Sequence, residues 1–142
     1  MKDETSPVSP DELVVRLIWR DFYKPGTDEP VLDRGFLPRS NESTGISVFR
    51  LACLSDPTDA LKVMAPEKRG GYAMGLVPVA ALTALGLSVE PVKVDEVSGH
   101  VLLPELNATL LTNDPARCRD LQHRLALLAA KNLIPPSGVP KA

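Results

Sequence analysis

The placement of proline is the feature that most restricts how this chain folds. The sequence contains 14 prolines in 142 residues, about twice the usual frequency. Proline fixes φ and removes a backbone donor, so it is tolerated at the ends of helices and strands and excluded from their interiors. Because these prolines fall at the ends of apolar segments, they separate structural elements and do not disorder the chain.

Composition and charge indicate a folded single domain. Apolar residues make up 44% of the chain and charged residues 24%, a balance typical of globular proteins. We expect one domain at residues 11–133, between disordered tails at residues 1–10 and 134–142. The net charge of −2 disfavours a nucleic-acid partner, which usually requires a basic stripe. The N-terminus has no apolar region of signal-peptide length, and no segment is as long as a membrane span. We therefore expect a cytoplasmic protein that does not associate with membranes.

Alternation of apolar residues predicts the strands. They are expected at residues 13–19, 46–51, 72–76 and 87–94, with a fifth beginning at His100. Both faces of the first strand are mainly apolar, which indicates an internal position in the sheet. Pro91 predicts an edge position or a bulge in the fourth strand. The short turn around Asp95–Glu96 favours an antiparallel hairpin between the last two strands.

Helix starts are marked by two Asp-Pro pairs, at residues 56–57 and 114–115. The first predicts a short helix that ends by Pro66, and the second an amphipathic helix that runs to about Lys131. Between them, residues 78–85 contain Thr83 as their single polar side chain, which predicts a helix buried on most sides.

The order of these elements predicts the fold class. A strand, the buried helix and another strand follow one another over residues 72–94, and this order favours a parallel unit. We therefore expect an α+β fold: a small mixed β-sheet of about four to five strands, one short buried helix and a C-terminal amphipathic helix.

His100 is the first candidate for a functional side chain. It follows Gly99 at the start of a strand, and imidazole is the side chain whose ordinary pKa lies nearest neutral pH. A general acid–base role is one interpretation, since Gly99 permits the close approach of a ligand. The other is a half-buried histidine bonded to a backbone carbonyl. His123, on the polar side of the last helix, is expected to be solvated.

Three arginines are candidates for holding an anionic substrate. Arg34 and Arg39 flank an apolar segment in the long loop that follows the first strand, and Arg50 lies on the second strand. Guanidinium groups bind carboxylates and phosphates through paired hydrogen bonds. The alternative for Arg34 and Arg39 is a solvated position or pairing with loop acids. Arg50, on a half-buried strand, requires a partner in either case.

The cysteines do not indicate a metal site or a disulfide framework. Cys53 and Cys118 are far apart and have no CxxC spacing, so we expect two buried thiols in a reducing compartment. The sequence also has no phosphate-binding loop, dinucleotide fingerprint or GxSxG nucleophile motif. No metal and no cofactor are therefore expected.

Several short motifs carry a resemblance. Phe36-Leu37-Pro38, the segment 45–50, Gly86-Leu87 with Pro91, and Gly99-His100-Val101 occur in this order. The progression resembles a group of short uncharacterised bacterial proteins and covers roughly residues 13–106. The resemblance implies a compact bacterial domain. It supplies no activity and no catalytic residue.

Weak nucleic-acid binding through the arginines is a third possibility that the net charge disfavours, and two functional hypotheses remain open. The first is a non-enzymatic protein-interaction or adaptor module of a bacterial system, with another protein as its partner. The second is a small enzyme acting on a phosphate-containing or nucleotide substrate, with His100 as acid and base and Arg34, Arg39 or Arg50 holding the anion. The sequence does not decide between them and does not indicate an oligomeric state.

Overall fold

A computed structural model describes residues 2–38, 42, 44–92 and 98–137 of the protein. These residues form strands and helices in an α+β arrangement. The strands are β1 (Leu13–Trp19), β2 (Ile46–Arg50), β3 (Tyr72–Pro78), β4 (Glu90–Pro91), β5 (His100–Leu103) and β6 (Leu133–Ile134). The α-helices are α1 (Val79–Ala84), α2 (Ala108–Asn113) and α3 (Pro115–Lys131). The predicted α+β class is confirmed.

The six strands form one sheet in the order β4-β5-β2-β1-β3-β6, and every described pair is antiparallel. β1 lies between β2 and β3, with Val15 opposite Phe49 on one side and Leu76 on the other. Its predicted internal position is therefore confirmed. The predicted hairpin is also confirmed, because β4 pairs antiparallel with β5.

The prediction of a mixed sheet with a parallel unit is wrong, and the described residues form a sheet of six strands where we expected four to five. β3 and β4 are separated by β1, β2 and β5. Both edges of β3 are occupied, by β1 and β6, so the chain leaving α1 crosses to the far side of the sheet. β4 is also shorter than the predicted strand at 87–94. The predicted turn at Asp95–Glu96 lies outside the described residues, as do 93 and 94.

The helices differ from expectation in three ways. α1 is not buried on most sides: Val79 and Leu82 are buried, whereas Thr83 and two alanines face solvent. Residues Pro57–Val63 form a 3₁₀ helix capped by Asp56, whose carboxylate accepts from the amide of Thr58. α2, which the sequence patterns did not predict, begins at a cap in which the Asn107 side chain accepts from the amide of Leu110.

Apolar side chains pack on both faces of the sheet. On one face, α3 covers β1 and β3, and its predicted apolar face is buried, including Cys118, Leu121 and Leu125. α3 lies so close to β3 that a Cβ on Gly75 would come within 2.6 Å of the Ala129 Cβ. On the other face, residues from the 3₁₀ segments between β2 and β3 pack against β1 and β3. The sheet is therefore the middle of three layers.

The predicted C-terminal tail at residues 134–142 is only partly described. Ile134 lies in β6 and pairs with Met74 of β3, so the ordered structure extends into that range. Residues 138–142 lie outside the described residues.

Candidate functional site

His100 is half-buried at the start of β5 and lies opposite Phe49 of β2. The two rings are stacked at a tilt of 30°, with their centroids 5.1 Å apart. Gly99 precedes it with a φ of +83°, a conformation that favours glycine. A Cβ on Gly99 would also lie 2.6 Å from the Cys53 Cβ. The close approach that this glycine permits is therefore with Cys53, and the fold alone accounts for it.

The imidazole of His100 is uncharged at neutral pH. Burial lowers its pKa, and the negative charge of Glu42 opposes that effect only in part. The Nδ1 atom is buried and has no hydrogen-bond partner among the described residues. The predicted alternative of a ring bonded to a backbone carbonyl is therefore not seen at Nδ1. No described carboxylate bonds to this nitrogen to fix the ring tautomer, as a general base ordinarily requires.

A pocket of about 420 Å³ lies beside His100. We call it the His100 pocket. Its described walls are Glu4 and Thr5 from the N-terminal segment, Pro91 and Val92 at β4, and residues 99–101 at the start of β5. The walls are mainly carbon, and the charged group among them is the carboxylate of Glu4. None of the described lining residues is an arginine.

Glu4 is held by the backbone that immediately precedes β5. Its Oε2 atom accepts a hydrogen bond from the amide of Gly99 at 3.3 Å. The Oε1 atom has no hydrogen-bond or ion-pair partner among the described residues. One carboxylate oxygen is therefore held by the fold, and the other has no described partner.

Arg50 does not contribute its guanidinium to this pocket. Its side chain is fully buried and forms a paired contact with Glu12, in which Nε donates to Oε1 and Nη2 donates to Oε2, both at 2.8 Å. The guanidinium holds the pKa of Glu12 at about 2. Backbone pairing brings Arg50 to Gly99, with its amide 2.9 Å from the Gly99 carbonyl. Its side chain points to the face opposite Phe49, because neighbouring residues in a strand alternate.

The remaining donors of Arg50 bind the chain near its N-terminus. Nη1 donates to the carbonyl of Ser6 at 2.8 Å and Nη2 to the carbonyl of Pro7 at 3.2 Å. A longer bond of 3.4 Å reaches the carbonyl of Glu4. Residues 2–9, for which we predicted disorder as part of the 1–10 tail, follow a defined path with these partners. We call them the N-terminal strap.

Of the other two predicted arginines, only Arg34 is described, and it does not line the His100 pocket. Arg34 is exposed, and its guanidinium lies over the ring of Phe22, 5.8 Å from the centroid. Arg39 lies outside the described residues. The two described candidates, Arg34 and Arg50, therefore do not line the His100 pocket.

His123 lies in a different cluster, between α3 and the loop that follows β1. Its Nδ1 atom is 3.0 Å from Asp33 Oδ1, and its Nε2 atom is 3.7 Å from Glu29 Oε1. The hydrogen bond with Asp33 raises the pKa of His123. We expected His123 to be solvated, but it contacts two acidic side chains of the loop and so connects α3 to that loop.

Other chemistry has no assembled site in the described residues. Cys53 and Cys118 are buried free thiols, and burial raises the pKa of both. Such thiols are poor nucleophiles, because the thiolate is the reactive form. The described chain has no group of three histidine, cysteine or acidic side chains suited to a metal ion. Its helices are all too short or too polar to cross a membrane.

Sequence reasoning identified His100 but missed Glu4 and Thr5. Both lie in a polar segment that contains proline, and nothing in that pattern distinguishes a docked strap from a free tail.

Comparison with known proteins adds no further assignment. No protein-family model, curated protein or solved structure matches the chain. The resemblance to short bacterial proteins stays a prediction.

Proposed function

We propose that this chain is a non-catalytic interaction module that receives a segment of a partner protein in the His100 pocket. The observation that carries the proposal is the separation between the described candidate arginines and the pocket. The buried arginine that the sequence offered for substrate binding is bound to Glu12 and the strap. The described walls of the pocket are rich in carbon and carry one carboxylate and an imidazole whose pKa is lowered by burial.

The rival hypothesis is an enzyme with a phosphate-containing substrate, and it requires a cation beside His100. Arg50 has no donor left for a phosphate, because its N–H groups already bind protein oxygens. Arg34 is stacked on Phe22. The Glu4 carboxylate at the pocket would repel a phosphate group. In this arrangement the His100 ring forms part of the pocket wall and can hydrogen-bond to a group of the partner.

A titration separates the two functions. Inorganic phosphate and adenosine monophosphate are added to ¹⁵N-labelled protein while the amides of Val92 and Val101 are followed by NMR. The proposal predicts no saturable shift of either amide. A saturable shift that is lost in His100→Gln supports the enzyme and overturns the proposal.

Site-specific crosslinking tests the partner directly. A photoreactive phenylalanine analogue replaces Thr5, which lines the pocket, and in a matched control it replaces the exposed Arg119 on α3. We expect the Thr5 position to give a crosslink to one protein in a lysate of the source cells, and the Arg119 position to give none. The captured protein is then purified and titrated against the chain by calorimetry. Equal capture at both positions, or no binding by the purified protein, contradicts the proposal.

A further inference from the structure

We propose that the His100 pocket recognises a primary ammonium group on a short aliphatic stem, the chemistry of a lysine side chain on the partner. This inference rests on the proposed function and specifies the group that enters the pocket. It starts from the position of Glu4, whose carboxylate lies at the pocket with one oxygen held by Gly99 and one without a described partner.

The charge around the pocket favours a cation. Glu4 is the charged residue among the described lining residues. The nearby charge of Arg50 is balanced by Glu12 at 2.8 Å. His100 adds no positive charge at neutral pH, because burial lowers its pKa. A neutral imidazole also has a lone pair that accepts a hydrogen bond from an ammonium group.

The geometry of Glu4 favours an ammonium group over a guanidinium group. A guanidinium binds best when both oxygens of a carboxylate accept from its two parallel donors. Oε2 of Glu4 already accepts from Gly99, which leaves Oε1 for a single charge-assisted bond. An ammonium group is a compact charge that needs only one such oxygen.

The remaining walls fit an aliphatic stem. Pro91, Val92 and Val101 supply carbon surface to a volume of about 420 Å³. Lysine buries its methylene groups along apolar surface while its charge keeps a polar contact. The pocket therefore combines apolar wall residues with an acidic lining residue, the two features that a lysine side chain requires.

The test compares three small probes of nearly equal size: n-butylammonium, butyramide and butyrate. Each is titrated into the full chain while the amides of Val92 and Val101 are followed by NMR. We expect saturable shifts with n-butylammonium in the millimolar range. Butyramide and butyrate are expected to bind at least about tenfold more weakly, because they lack the charge-assisted hydrogen bond.

Glu4→Gln is the matched variant, because it keeps the shape and an acceptor for Gly99 while removing the charge. We expect it to weaken n-butylammonium binding at least about tenfold. Glu67→Gln, a change at an exposed glutamate in the 3₁₀ segment before β3, is expected to leave the binding unchanged.

The outcomes separate this inference from the proposed function. If butyrate or butyramide binds as tightly as n-butylammonium, or Glu4→Gln binds as the wild type does, the ammonium assignment is overturned while the pocket keeps its role as a ligand site. If none of the three probes binds, the ammonium assignment also fails. If the crosslinking at Thr5 then captures no partner, the proposed function fails with it.

Discussion

Replacing Arg50 with methionine removes the cation from a fully buried ion pair. The side chains of Arg50 and Glu12 are 0% and 3% exposed. Breaking such a pair from one side costs about 3–5 kcal/mol, because the remaining charge is left buried. The pKa of Glu12 supports this magnitude, since a fall from 4.5 to about 2 corresponds to about 3 kcal/mol of stabilisation at neutral pH. We therefore expect Arg50→Met to lower the free energy of unfolding by about 3–5 kcal/mol.

Urea denaturation measures this loss. Trp19 is the single tryptophan and packs edge-on against Tyr72 at a centroid distance of 5.0 Å, so its fluorescence reports unfolding at the sheet. With a denaturant slope of about 2 kcal/mol/M, the midpoint is expected to fall by about 1.5–2.5 M. The double variant Glu12→Gln/Arg50→Met is expected to recover at least about 1.5 kcal/mol relative to additivity.

The control is Arg124→Met, which breaks an exposed pair with Asp120 on α3. Exposed pairs contribute little, so we expect a change of less than about 0.5 kcal/mol. The reasoning is refuted if Arg50→Met costs less than about 1 kcal/mol, or if the effects of Arg50→Met and Glu12→Gln are additive.

Acid titration gives a second check of the Arg50–Glu12 pair. The contribution of Glu12 is complete above pH 4.5 and is lost as the pH falls toward its folded value of about 2, so Glu12→Gln and the wild type should converge there.

Three further predictions follow from the glycine, histidine and strap contacts. Gly99→Ala is expected to lower the free energy of unfolding by about 2–4 kcal/mol, because Gly99 has a positive φ and an added Cβ would lie 2.6 Å from Cys53. Gly26→Ala, where φ is +79° but the space is open, is expected to cost only about 1 kcal/mol. Thermal denaturation measures both, and equal losses would contradict this reasoning. In an NMR titration His123 should show a pKa above 6.5 that returns toward 6.5 in Asp33→Asn. Because the folded pKa is raised, the stabilising contribution of His123 is complete below pH 6.5 and is lost as the pH rises through the folded pKa. Hydrogen exchange should be slower across residues 2–9 than in the same segment of Arg50→Met, and equal exchange would indicate the disordered tail predicted from sequence.

Local sequence patterns predicted the strands and helices better than they predicted which strands pair in the sheet. β1 was found because apolar residues cover both of its faces, and Asp114-Pro115 marked the start of α3 correctly. The parallel unit was wrong because strand pairing depends on which edges of β3 are free, and β6, more than 50 positions later in the chain, occupies one of them. Such long-range competition leaves no signal in the order of elements.

The site was predicted in the same partial way. His100 was found by its chemistry, and Arg50 was identified as a residue that needs a partner. That partner, Glu12, lies 38 residues away, and neither residue type nor spacing indicates it. Glu4 was missed because its position depends on the carbonyl contacts of the strap with Arg50.

The order of strands in the sheet has a consequence for synthesis on the ribosome. The first three strands made, β1, β2 and β3, occupy adjacent central positions in the order β2-β1-β3. A nascent chain that ends after β3 therefore presents two unpaired edges, and such edges promote association between chains. β5 and β4 later cover one edge, and β6 covers part of the other. The C-terminal half of the protein thus protects the sheet that the N-terminal half begins.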